Sequence, residues 1–213
     1  MGKSSGKSAV FFSLEMSREQ LAMRLLSNEA FIDNKKLTTG NLDDEDWGKI
    51  ALACAALNQT NILIDDNPML TVADMLVKCR RVENLGLICI DYLQLMTSGR
   101  QVNNRVQEVS EITRNLKLMA KELQVPIITL SQLSRSIESR SDHRPMLSDL
   151  RESGSIEQDA DIVIFLYRDD YYNENTEKPG VCEVNIAKHR SGPTDKIELT
   201  WVSRYTKFSD KAL

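Results

Sequence analysis

The sequence predicts an α/β fold, with an open, mostly parallel sheet flanked by helices and an antiparallel hairpin added near the C-terminal end. Three observations predict it. Short apolar runs of the kind buried on both faces of a parallel sheet recur along the chain. They alternate with stretches whose apolar residues return at spacings of three and four, as on one face of a helix. Near the end, "VCEVNIAK" and "KIELTWV" flank "HRSGPTD", two strand-like runs around a Gly-Pro turn.

Each element has its own signal. "AVFFSL" (9–14) reads as a buried strand. Ser17 opens a helix, with Gln20 three residues on as in a capping box, and Leu21, Met23, Leu25 and Leu26 form its body. A second helix is expected from Asp44 to Leu57, with acidic residues in the first turn that favour its dipole. "NILIDD" (61–66) reads as a short strand, Thr71 to Val82 as a helix, and "LICI" (87–90), ending on Asp91, as a strand. The longest helix is expected over 103–123, where Val106, Val109, Ile112, Leu116, Met119 and Leu123 make one apolar stripe. "VPIITLSQ" (125–132) is the next strand, 133–148 a polar stretch rich in Ser and Arg, and "ADIVIFLYR" (160–168) a strand before the hairpin.

Composition narrows the function classes. The chain has 213 residues, about one large domain, is 41% hydrophobic and 27% charged, and carries a net charge of −4. That balance gives no global basic signature for nucleic acid, so any such contact must come from a local patch. Four cysteines, none spaced as CxxC, and two histidines argue against a zinc site. Scattered thiols suit a reducing cytoplasm. No segment reaches the roughly 18 apolar residues of a membrane helix, and the N-terminus lacks the apolar core of a signal peptide.

In open α/β sheets ligands bind at the carboxyl ends of the strands, so the residues just past each strand carry the chemistry. Asp91 has two readings: a turn residue, or a Walker B carboxylate that helps hold the Mg²⁺ of a bound nucleoside triphosphate. Glu15 ends the first strand in "SLEM", where a carboxylate can orient and deprotonate a water. Gln132 is placed to touch a γ-phosphate. Lys188 and Arg190 alternate on a strand end and so point the same way, an arrangement that suits a polyphosphate, with Arg190 a candidate arginine finger. Each alone is more often an ordinary surface or capping residue. Their appearance together in this order favours the nucleotide site.

The stretches "VFFSLEMSREQLAMRLL", "ICIDYLQLM", "VPIITLSQLSR", "DLRESGSIEQDADIVIFLYR" and "AKHRSGPT" together resemble the bacterial replicative DNA helicases of the DnaB family, over about residues 9–208. "RPMLSDLRESGSIEQDAD" (144–161) is the most specific of the motifs. The resemblance implies a single RecA-like P-loop ATPase motor domain over 1–213, using ATP and Mg²⁺, that assembles in the parent protein as a homohexameric ring around single-stranded DNA, with a primase and a helicase loader as partners. By motif match Glu15 is similar to the catalytic base, Asp91 to the Walker B acid and Gln132 to the γ-phosphate sensor. Lys188 and Arg190 are similar to the pair given to the neighbouring subunit's ATP. "LRESG" resembles one DNA-contacting loop, through Arg151, Glu152 and Gly154. "TSGRQVNNR" (97–105) resembles the other more loosely, through Arg100 and Arg105. A mildly acidic chain can still bind DNA this way, because a ring gathers a few cations from each subunit into one channel.

The chain departs from the family at its start and at one hairpin position. The family places a strand, a P-loop and a helix before the "FFSLE" strand, and here only "MGKSSGKS" precedes it. Gly2 to Gly6 encloses three residues where a Walker A loop needs four, and "AVFF" enters a strand where a P-loop feeds a helix. Either "MGKS" is the tail of a P-loop, with Gly2 and Lys3 on the phosphates and Ser4 on Mg²⁺, or the eight residues are an ordinary loop. The first is preferred, because the family's P-loop ends in such a Met-Gly-Lys-Ser/Thr. The family's N-terminal domain and linker are expected to be absent. His189 stands between Lys188 and Arg190 where the family carries Gln, on the opposite face of the strand. The leading expectation is an ATP-dependent replicative helicase motor. The alternative is an ATPase-inactive fragment that serves only as a binding or ring-forming module. A RecA-like recombinase or clock-type ATPase is disfavoured by "LRESGSIEQDAD" and "KHRSG".

Overall fold

The computed structural model describes residues 6–99 and 104–211, and of residues 151–153 the backbone. The expected alternation is present. β1 (Ser8–Ser13) leads to α1 (Arg18–Ala30), α2 (Asn34–Thr39) and α3 (Asp44–Asn58). β2 (Ile62–Asp65), α4 (Val72–Cys79), β3 (Leu85–Asp91), α5 (Arg105–Leu123) and β4 (Ile127–Thr129) follow. Then come α6 (Gly154–Asp159), β5 (Ile162–Tyr167), β6 (Val181–His189), β7 (Asp195–Val202) and β8 (Lys207–Asp210).

Local chemistry sets the helix starts. Ser17, Asp43 and Thr71 each accept a hydrogen bond from the backbone N–H three residues on, and Gln20, Asp46 and Asp74 reach back to the cap N–H. These reciprocal boxes satisfy two donors that the first helical turn would otherwise leave bare. The sequence showed the first box. It gave no sign of α2, a short helix capped by Asp33.

The strands form two four-stranded sheets, in the orders β2-β1-β3-β4 and β5-β6-β7-β8. The first is parallel throughout, as expected. The second is antiparallel: the β6–β7 hairpin read from the sequence is widened by β5 on one side and β8 on the other. β4 is shorter than the run 125–132 suggests. Leu130 still donates its N–H to Ile90 and accepts from Leu93, after which the chain turns away.

α4 and α5 cover one face of the parallel sheet. Phe12, Met75, Ile88, Ile90, Ile112 and Met119 fill the core between them, each at most 2% exposed. Val109, Ile112, Leu116 and Met119 of the α5 stripe are buried, while Val106 is 46% exposed, because the helix has only just begun there. A second core of Leu150, Val163 and Phe165 lies on the antiparallel sheet, and Ile156 of α6 packs against both. The two halves are thus joined through α5 and α6, where Thr113 donates to Asp159 at 2.6 Å.

Candidate functional site: strand ends of the parallel sheet

The order β1-β3-β4 brings three strand ends side by side. Ser13 pairs with Asp91 in register, and Leu14 donates its N–H to the Asp91 carbonyl at 2.8 Å. Buried Ser13 closes the next turn by bonding both the N–H and the carbonyl of Met16. Glu15 is left exposed at the tip of that turn, beside Asp91. On the other side, β4 pairs Ile90 with Thr129 and leads to Gln132, also exposed. Glu15, Asp91 and Gln132 therefore share one rim, as the strand-end argument expects.

The rim is electrostatically tense. Partial burial pushes the Asp91 carboxyl above its ordinary range, the Glu15 charge pushes it further, and Arg24 of α1 draws it back. A carboxylate that is costly to ionise alone becomes favourable to ionise beside a cation. Mg²⁺ keeps much of its water and takes only one or two carboxylates along with phosphate oxygens. Asp91 with Glu15 close by fits that donor set. Among the described residues no group of three or more His, Cys, Asp or Glu forms a closed metal cage.

Lys188 and Arg190 lie elsewhere. Lys188 pairs with Val163 near the start of β5, and its amine donates to the carbonyls of Glu157 and Gln158 in α6. Arg190 donates its N–H to the Asp161 carbonyl at 2.8 Å, and its guanidinium, 72% exposed, lies 3.5 Å from the Asp161 carboxylate. Lys117 of α5 also pairs with Asp161, and these cations hold that carboxyl below its usual range. The other end of β5 is the one that approaches Gln132: a cavity of about 590 Å³ is lined by Gln132 together with Tyr167 and Arg168. From Asp161 to Arg168 the strand spans about 23 Å at ~3.3 Å per residue. The cationic pair is thus a strand's length from the end of β5 that lines the cavity with Gln132. The His189 ring bonds the Pro193 carbonyl and folds over Gly192, where a Cβ would sit 2.4 Å from the ring.

The remaining candidates divide. Gly2, Lys3, Ser4 and Arg100 lie outside the described residues, as do the side chains of Arg151 and Glu152. Ser8 is already in β1, so Gly6-Lys7-Ser8 leads into a strand. Gly154 opens α6 with ordinary helical dihedrals. Arg105 opens α5, and its guanidinium is engaged: it donates to the carbonyls of Gln94 and Met96 and pairs with Glu108. The sequence reading missed Gln94, whose amide bonds the Gln132 backbone, and Arg24. Gln94 had one signal, a lone polar residue between Leu93 and Leu95 just after Asp91.

A model of the DnaB-like helicase C-terminal domain matches residues 1–210. The chain belongs to the DnaB-like helicase C-terminal domain family. It is 54% identical over 208 residues to the replicative DNA helicase DnaB of Geobacillus stearothermophilus, a match that covers 96% of this chain and 46% of the relative. It is 56% identical over 206 residues to the replicative DNA helicase DnaC of Bacillus subtilis (strain 168), covering 95% of this chain and 45% of that protein. The chain thus spans a little under half the length of these relatives. Among solved structures it is similar to one described as "ATPase Domain of G40P", with TM-score 0.94 and 40% identity, covering 99% of this chain and 76% of that one. It is also similar to a DnaB-like replicative helicase whose structure was described with its interactions with primase, with TM-score 0.93 and 40% identity, over 97% of this chain and 51% of that one. The fold and the family model agree.

Proposed function

We propose that this chain is the motor domain of a cytoplasmic replicative helicase, which binds ATP with Mg²⁺ and couples its hydrolysis to movement along single-stranded DNA and to unwinding of the duplex. The observation that carries the reading is the placement of Glu15, Asp91 and Gln132 on three adjacent strand ends in a member of this family. Asp91, with Ser4, would hold the Mg²⁺, which would supply positive charge to offset that of the phosphates. Gly2, Lys3 and Ser4 would cradle the phosphates. Glu15 orients the attacking water and takes its proton, and Gln132 meets the γ-phosphate.

The distance between the two rims supports a ring, in the parent protein a homohexamer, in which Lys188 and Arg190 reach the nucleotide of the next subunit. An arginine finger must touch the phosphates it stabilises and can be supplied in trans. Arg151, Glu152 and Gly154, with Arg100 and with Arg105 at the foot of its loop, would form the DNA path. Primase and a helicase loader are the expected partners.

The test is hydrolysis. Glu15→Gln should lower turnover about 10²–10⁴-fold while ATP binding persists. Undiminished turnover would remove Glu15 from the role of base. The alternative reading is an ATPase-inactive fragment that serves only as a binding or ring-forming module. A chain that binds DNA or its own copies but no nucleotide would select that reading.

A further inference from the structure

The segment after Asp91 is held by a continuous set of polar contacts. Leu93–Leu95 forms a tight helical turn, anchored by buried Leu93 and Met96. Within it the Gln94 side chain makes a reciprocal pair with the backbone of Gln132. Gln94 Oε1 accepts the Gln132 N–H at 3.1 Å, and Gln94 Nε2 donates to the Gln132 carbonyl at 3.2 Å and to Ser131 Oγ at 3.0 Å. The backbone of the same turn is gripped from the other side. Arg105 Nη2 donates to the Gln94 carbonyl at 2.8 Å and Nη1 to the Met96 carbonyl at 3.1 Å. Arg105 also pairs with Glu108, whose other oxygen accepts the Ser98 N–H at 3.0 Å. That carboxylate lies below its ordinary range, chiefly because of the Ser98 bond. Glu108 is in the first turn of α5, where negative charge is favoured.

We infer that Gln94 and Arg105 are positioning residues that tie Gln132, just past β4, to the two feet of the 97–105 stretch, Ser98 and Arg105. The inference rests on the reading above that Gln132 meets the γ-phosphate and that this stretch meets DNA. The geometry leaves the Gln132 backbone two ways to move. It either breaks both hydrogen bonds to Gln94 at once, or it carries Gln94 and the carbonyl that Arg105 holds. Small displacements at one end are thereby converted into a choice between two bonded arrangements, and such an element is biased from either side. Linkage makes the effect reciprocal: if nucleotide changes the affinity for DNA, DNA changes the affinity for nucleotide by the same factor.

The first measurement uses the unliganded chain. In Gln94→Ala, amide hydrogen exchange should speed up about tenfold at Gln132 and also at Ser98 and Gly99, with β1 unchanged. Gln94→Glu keeps the acceptor for the Gln132 N–H and loses the donors, and should fall between. Faster exchange at Gln132 with Ser98 unmoved would overturn the tie. The second measurement is oligo-dT affinity with and without a non-hydrolysable ATP analogue and Mg²⁺. The ratio of the two affinities should be about fivefold or more in the wild type and fall toward one in Gln94→Ala, while each ligand alone binds within about twofold of the wild type. A ratio unchanged by Gln94→Ala contradicts the inference. A wild type that binds neither ligand would instead defeat the functional reading, and the exchange result would still decide the tie.

Discussion

The two sheets end in opposite chemistry. The parallel sheet presents carboxylates, Glu15 and Asp91, with uncharged Gln132 beside them. The antiparallel sheet presents Lys188 and Arg190, backed by Lys117 and steadied by Asp161 and the α6 carbonyls. Phosphoryl transfer needs both kinds of rim around one nucleotide. Here Lys188 and Arg190 lie at the start of β5, away from the end that lines a cavity with Gln132, and the joint between the halves, α5 against α6 with the Thr113–Asp159 bond, is packed rather than open. The difference supports the proposed reading, in which the carboxylate rim of one copy and the cations of a neighbour complete one nucleotide site.

The sharpest way to break that comparison is complementation. Arg190→Ala should cut turnover by about 10³–10⁵, the effect of losing an arginine finger. Mixed with Glu15→Gln, it should regain part of the lost rate, because some interfaces then pair an intact carboxylate rim with an intact Arg190. Steady-state ATPase across mixing ratios checks this. No recovery at any ratio would mean that both rims serve the same chain's nucleotide.

The next effect concerns how the antiparallel half is held. Arg140 makes a two-pronged bond to Asp149, which is 3% exposed and also accepts the Met146 N–H, so the 134–150 segment is pinned where it leads into α6. Arg140→Ala should cost about 3–5 kcal/mol, because it leaves a buried carboxylate unpaired. Ile112→Ala, in the shared core, should cost about 2–5 kcal/mol. Urea unfolding of both variants measures them. A loss under 1 kcal/mol for Arg140→Ala would show that the segment is held elsewhere.

A smaller effect is pH dependence at the carboxylate rim. The folded state raises the Asp91 pKa, so it binds a proton more readily than the unfolded chain does. Stability from this group is present below the unfolded carboxyl pKa and is lost as pH rises through the folded one. Asp91→Asn should therefore raise the thermal midpoint near neutral pH while abolishing metal-dependent nucleotide binding. Mg²⁺ competes with that proton, so nucleotide binding should weaken on acidification at a higher pH than an unperturbed Asp would give. Melting scans and binding titrations from pH 4 to 8 test both signs. The smallest expected change is in the salt dependence of DNA binding: Arg151→Ala should flatten the slope of log K against log salt by about 0.7, one phosphate contact on a single strand. An unchanged slope removes Arg151 from the DNA path.

Much of this was legible in the sequence because it is local. The Ser17–Gln20 box, the acidic start at Asp44 and the stripe on α5 depend on residues a few positions apart, and each formed as read. The Glu15–Asp91–Gln132 rim was legible through one rule about strand ends. The pairing of β5 with β6, which brings β5 into the late strands' own sheet, depends on partners well apart along the chain, and no local pattern reports it, whereas β8 folds straight back on β7 through the turn at 203–206. Arg105 illustrates the same limit. The sequence offers it as a DNA contact, and its further grip on two carbonyls and Glu108, all brought to it by the fold, has no local signal.

The most direct test of the carboxylate rim is Mg²⁺-dependent ATP binding by this 213-residue chain, with Asp91→Ala as the comparison. Binding that requires Mg²⁺ and disappears in Asp91→Ala is the predicted result. Binding that is equally tight without the metal, or untouched by loss of Asp91, would contradict the assignment of these strand ends to the nucleotide.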